Sequence, residues 1–281
     1  MDYLNDEKLY EYIITQPNRF FIDISSKGCG NDCAYCYVET KADPQQLLTL
    51  QQIQRICEMV SSECTNHYNI ISLCPNTEPL KSPDSAMLTL FIAKYFASRN
   101  CFIQISTKEL IPSFFLDELN SFANGRVFIN ISVPHIANAN TFEPNAPAVE
   151  QRMNNFKLIN KYSNICSCLY IKPFSNRVAE NIEDYINAIN SLGIETVCVG
   201  VSFTRKGRMP CQSLHNRDIA QELYEEQRTD IDSFVTLLRA NTKAKVFSSS
   251  VCCICNKNRL KCLLNLHEFD PIICADCLCF R

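Results

Sequence analysis

The chain has 281 residues, 46% of them hydrophobic, enough for one large core or one large domain with a small appendage. Its formal net charge of −3 supplies no global positive field for a nucleic-acid backbone, so any polyanion has to be held locally. No apolar run approaches the roughly 18 residues of a membrane span, and the acidic start at Met1–Glu7 lacks the basic lead of a secretory signal. The expectation is a cytoplasmic protein with no membrane partner. Eighteen cysteines, many in metal-ligand spacings, point to metal sites in a reducing compartment and not to disulfides.

Residues 1–18 read as a polar lead-in with a short helical pattern around Leu9 to Ile14, ended near Pro17. From Arg19 onward, apolar strand-like runs alternate with loops and amphipathic helix-like runs about six times, which argues for βα units and a parallel sheet. The strands are expected at 20–24, 68–73, 101–105, 127–133, 165–171 and 195–201. Helices are expected at 47–60, 85–97, 113–122, from Pro147 to about Lys161, and at 182–192. A long polar helix over 216–240 closes the array. Periodicity does not separate a barrel from a doubly wound sheet.

Between the first strand and its helix lies Cys29-Gly-Asn-Asp-Cys33-Ala-Tyr-Cys36, a C-x3-C-x2-C spacing. Three thiolates are one too few for a closed zinc or [4Fe-4S] site, so either a distant ligand completes the set or one metal position stays open. With Tyr35 as its aromatic, the motif resembles the signature of the radical S-adenosylmethionine (SAM) superfamily. That resemblance implies a partial (β/α)6 TIM-like barrel over residues 1–245. It also implies a [4Fe-4S] cluster on Cys29, Cys33 and Cys36, SAM on the fourth iron, and an electron donor such as flavodoxin or ferredoxin.

In parallel α/β barrels functional residues follow the strands' carboxyl ends. Those loops carry Cys74-Pro-Asn-Thr77-Glu78-Pro, then Ser106-Thr107-Lys108, then Glu143-Pro-Asn-Ala-Pro with Arg152 beyond. Taken in order over about residues 20–205, the set resembles spore photoproduct lyase and its relatives. The resemblance implies that Thr77 and Glu78 face the SAM amino group, Lys108 its carboxylate and Ser132 its ribose. It leaves Glu143 and Arg152 either pairing to shape their loop or contacting SAM. Cys74 lies near the position of a hydrogen-donating cysteine but is one residue further from the acidic position. His135 reads as a solvated loop histidine, and Thr204–Cys211 as a basic turn able to clamp an anion.

The last thirty residues hold seven cysteines, of which Cys252, Cys255, Cys274 and Cys277 form C-x2-C-x18-C-x2-C, a zinc-ribbon spacing. Residues 246–281 are therefore expected to be a small module binding zinc or, with Cys253, Cys262, Cys279 and His267 as surplus ligands, a second Fe–S cluster. Three functions stay open: a radical SAM enzyme acting on nucleic acid or a nucleotide, a radical SAM enzyme modifying peptide or protein with an auxiliary cluster, and a non-catalytic metal-binding regulatory module.

Overall fold

The structure, a computed structural model, describes residues 6–16, 19–26, 28–36, 38, 46–64, 69–200, 231–247 and 249–258. Among the described residues, eight strands form one mixed, mostly parallel and unclosed sheet in chain order. They are β1 (Ile13–Gln16), β2 (Arg19–Ile22), β3 (Ile70–Leu73), β4 (Phe102–Thr107), β5 (Val127–Ser132), β6 (Ile165–Ile171), β7 (Thr196–Val199) and β8 (Lys245–Phe247). Only β1 is antiparallel to its neighbour among the described pairings; β2–β3, β3–β4, β6–β7 and β7–β8 are parallel. The fold is the partial TIM-like barrel expected from the sequence, with β1 and β8 added to the six anticipated strands.

The chain divides into two compact units. The first comprises Met1–Cys29, Lys41–Ile129 and Leu158–Cys166. Here β3 is buried along its whole length and β4 almost so, as parallel strands covered on both faces must be. Three helices supply apolar faces: α2 (Leu50–Glu63) through Ile53, Ile56 and Val60, α3 (Pro83–Ala97) through Leu90, Ile92 and Phe96, and α4 (Ser113–Phe122) through Phe115, Leu116 and Leu119. Capping boxes start two of them, Thr49 with Gln52 and Ser82 with Ser85, each meeting backbone N–H groups that the helix itself leaves without acceptors.

The expected helix around Leu9 to Ile14 is instead a short helix α1 (Asp6–Leu9), a 3₁₀ turn, Tyr10–Tyr12, and then strand β1. That strand is an edge whose residues 14–16 are all exposed, so no alternation of burial marks it in the sequence.

The second unit comprises Gly30–Thr40, Asn130–Lys157 and Ser167–Arg281. After the short helix α7 (Asn176–Ala179), helix α8 (Ile182–Leu192), ended by left-handed Gly193 at φ 63°, and α9 (Ile231–Asn241) pack around an aromatic group. In that group the Phe234 ring lies 5.1 Å from Phe174 and 5.6 Å from Tyr185. The Tyr185 hydroxyl donates to the Val133 carbonyl at 3.0 Å. Helix α10 (Ser250–Lys257) follows β8 and is buried through Val251–Cys255. Of the long helix expected over 216–240, the described part is α9; residues 216–230 and the basic turn 204–211 lie outside the described residues.

Candidate cofactor site

In the first unit the ends of β2, β3 and β4 build one polar cluster. Asp23, the residue after β2, is 5% exposed and accepts three bonds from the turn after β3. Asn76 donates its backbone N–H at 3.2 Å and its side-chain amide at 2.7 Å, and the Thr77 hydroxyl donates at 3.1 Å. With its proton directed to Asp23, the Thr77 oxygen keeps lone pairs that can accept. The Gly28 N–H donates to the Asn76 carbonyl at 3.0 Å, so the same turn holds the start of the cysteine loop.

Glu78 is buried. The Thr107 hydroxyl donates to its Oε1, and the Lys108 backbone N–H donates to its Oε2 at 3.0 Å. Thr107 in turn accepts from the Glu109 N–H at 2.9 Å. Burial raises the Glu78 carboxyl to about 7, against the opposing pull of these two donors and of the Lys108 charge. Cys74 sits at φ 58°, a left-handed backbone for a non-glycine residue, with its N–H donating to the Ile22 carbonyl at 2.8 Å. Its thiol is pushed well up, first by burial and then by the Asp23 charge, so it is a thiol and not a thiolate.

In the second unit the cysteine loop meets the connection between β5 and α6 (Val149–Ile159), which includes the short helix α5 (Ala139–Phe142). The Cys36 N–H closes a turn onto the Cys33 carbonyl at 2.9 Å, and the Ala34 N–H donates to the Phe142 carbonyl at 2.8 Å. The Tyr35 hydroxyl donates to Glu143 Oε1. Arg152 pairs with Glu143 Oε2 at 2.7 Å, both side chains essentially without solvent exposure, and its Nη1 donates to the Ser132 carbonyl at 2.9 Å. Burial, with Cys33 and Glu143 beside it, holds the Tyr35 phenol protonated.

His135 is 2% exposed, stacked on Phe142 with ring centroids 4.1 Å apart, and corrects the expectation of a solvated loop histidine. Its Ser-Val-Pro-His context carries no apolar pattern, so the stacking partner seven residues on is not visible in sequence.

Cys29, Cys33 and Cys36 are free thiols, Cys33 buried and the other two half-buried. The Val38 N–H donates to the Cys36 sulfur at 3.4 Å, a contact suited to a thiolate ligand. Among the described residues no three His, Cys, Asp or Glu side chains form a ready-made metal-ligand group, so donor type, spacing and this N–H···S bond are what fit a three-thiolate cluster. Cys252 and Cys255 lie on α10, 3% and 1% exposed, with the Cys253 sulfur 3.6 Å from that of Cys168. At i and i+3 they share a helix face. Cys274 and Cys277 lie outside the described residues.

Sequence reasoning passed over Asp23 and Arg19. A lone acid directly after an apolar strand was the available signal for Asp23. Arg19 opens β2 and reaches along the sheet to donate to Ser72 at 2.8 Å and Gln104 at 2.5 Å, its guanidinium 4.2 Å from the Phe21 ring centroid.

No protein-family model matches the sequence, and no curated protein matches it either. Solved structures do match in fold. A variant of spore photoproduct lyase aligns with a TM-score of 0.55 at 14% identity over 76% of this chain and 63% of that one. The lyase complexed with dinucleoside spore photoproduct gives 0.51 at 13% identity over 73% and 61%. Streptococcus suis SuiB bound to S-adenosylmethionine gives 0.52 at 13% identity over 83% and 49%. The chain thus spans about three fifths of the lyase structures and about half of SuiB. Both neighbours are radical SAM enzymes, and at these identities the likeness is one of fold.

Proposed function

We propose that this chain, which has the fold of radical SAM enzymes, is itself one. The observation that carries the reading is the C-x3-C-x2-C motif on the loop after β2 of that fold. In this reading Cys29, Cys33 and Cys36 hold a [4Fe-4S] cluster, which with SAM bound supplies reductive cleavage to a 5′-deoxyadenosyl radical that abstracts hydrogen from substrate.

The chain's own residues bind and orient. Thr77 offers oxygen lone pairs, and Glu78 a carboxylate whose burial by neutral donors leaves it short of a full counter-charge, so an ammonium group is its natural ligand. Lys108 supplies a cation for a carboxylate, and Ser132, at the end of β5, a hydroxyl for a ribose. Cys74, held as a thiol, remains the candidate hydrogen donor to a substrate radical.

The substrate proposed is nucleic acid or a nucleotide, supported by the lyase structure that holds a dinucleoside photoproduct. Cys252, Cys255, Cys274 and Cys277 are proposed ligands of zinc or of a second cluster; a second cluster would favour peptide or protein modification. Iron counting on anaerobically reconstituted protein tests these readings: about four irons per chain supports one cluster, about eight supports two, and none retained by wild type refutes both.

A further inference from the structure

We propose that the segment Phe142–Asn145 is the template on which the cysteine loop takes its shape, with Tyr35, Glu143 and Arg152 as positioning residues and not ligands of SAM. The inference deepens the proposed function and rests on it for the identity of what the loop holds. Three nearby positions of one segment grip the loop in turn. The Phe142 carbonyl takes the Ala34 N–H at 2.8 Å, the Glu143 carboxylate takes the Tyr35 hydroxyl, and the Asn145 side chain donates to the Gly30 carbonyl at 3.2 Å.

The loop needs such a template. Residues 28–36 form no helix or strand, and left-handed residues at Gly30 (φ 68°) and Asp32 (φ 48°) break any regular backbone ladder. The template is itself fixed. The Glu143 N–H donates to the Ala139 carbonyl at 2.7 Å, the Ala146 N–H donates to the Glu143 carbonyl at 3.1 Å, and Arg152 ties the carboxylate to the end of β5.

Tyr35 lies between Cys33 and Cys36, so anchoring its ring fixes the direction in which the turn presents both sulfurs. Glu143 already has a guanidinium as counter-ion, and Arg152 is 0% exposed, so neither has a charge to offer the ammonium or the carboxylate of SAM. Glu78 is buried as well, but forms no ion pair among the described residues.

The test uses the full chain, metal-free and anaerobically reconstituted, with hydrogen exchange of residues 30–36 and the rate of iron release to a chelator as readouts. Tyr35→Phe should speed both by roughly ten- to hundredfold, the scale of one hydrogen bond to a charged group, while SAM affinity holds. Tyr185→Phe, which loses a buried hydroxyl bond elsewhere in the same unit, should soften the protein without changing either readout. Asn145→Ala removes an exposed grip and should give a smaller effect of the same sign. Unchanged exchange and iron release in Tyr35→Phe overturns the proposal, as does a Glu143→Gln variant that loses SAM affinity with loop exchange intact. If wild type takes up no iron, the cluster reading falls, while exchange in the metal-free protein still decides whether the template holds the loop.

Discussion

Glu78 and Glu143 are both buried glutamates in loops that follow strands, and the sequence offers both as cofactor contacts. Their surroundings differ. Glu143 is paired with a guanidinium at 2.7 Å and also accepts from a phenol, whereas Glu78 is held by a hydroxyl and two backbone N–H groups, those of Lys108 and Leu80, and forms no ion pair among the described residues. A buried carboxylate with its own cation has its charge balanced within the chain and belongs to the architecture. One held by neutral donors has its carboxyl raised to about 7, and under the proposed function an ammonium group is its partner.

The largest effect that would break this comparison is loss of one partner of the buried pair. Arg152→Met leaves Glu143 buried without its cation and should destabilise the protein by about 3–5 kcal/mol in chemical denaturation. A loss comparable to that of an exposed substitution would show that the pair is not structural.

Glu78 should behave in the opposite way. Its carboxyl in the folded chain lies above the ordinary value, so its contribution to stability is fully present below about pH 4.5 and is lost as pH rises through about 7. Glu78→Gln removes that dependence. At pH 8 the variant should equal or exceed wild type by up to about 3 kcal/mol, with most of that advantage gone at pH 5. Urea unfolding at the two pH values measures it, and a gap independent of pH contradicts the raised carboxyl.

In the same variant SAM binding should weaken with the cluster still assembled. In wild type the affinity should climb as pH rises through about 7, where the carboxylate forms. Titration of SAM into reconstituted protein between pH 6 and 8 reads both, and a flat profile separates Glu78 from the ammonium group.

The smallest effect expected is at the exposed pair of Arg55 with Asp6, 2.7 Å apart and about half exposed on both sides. Asp6→Asn should leave the denaturation midpoint unchanged, because a solvated pair gains little over water. A clear shift would mean that distance alone, without burial, ranks these pairs.

The parallel strands were legible because burial on both faces demands unbroken apolar runs such as Ile70–Leu73. β1 was not, since an exposed edge needs no such run. Nor was β8, three residues long and lying where the cysteine spacing pulled attention to a separate module. The end of β4 extends through Ser106 and Thr107, two polar residues beyond the expected boundary, and this puts Thr107 against Glu78. Motif and loop position made Cys29, Cys33, Cys36, Glu78, Glu143 and Arg152 visible one by one. What stayed hidden was which of them meet: Tyr35 and Glu143 are 108 residues apart, and contacts at that separation depend on strand register, which a hydrophobic pattern does not encode.

The most direct test of the account is SAM cleavage by anaerobically reconstituted protein with dithionite. Wild type should release 5′-deoxyadenosine, and Cys33→Ala, which removes one of the three proposed ligands, should release none. Equal release from the two proteins, or none from a wild type that holds four irons per chain, would contradict radical SAM chemistry at Cys29, Cys33 and Cys36.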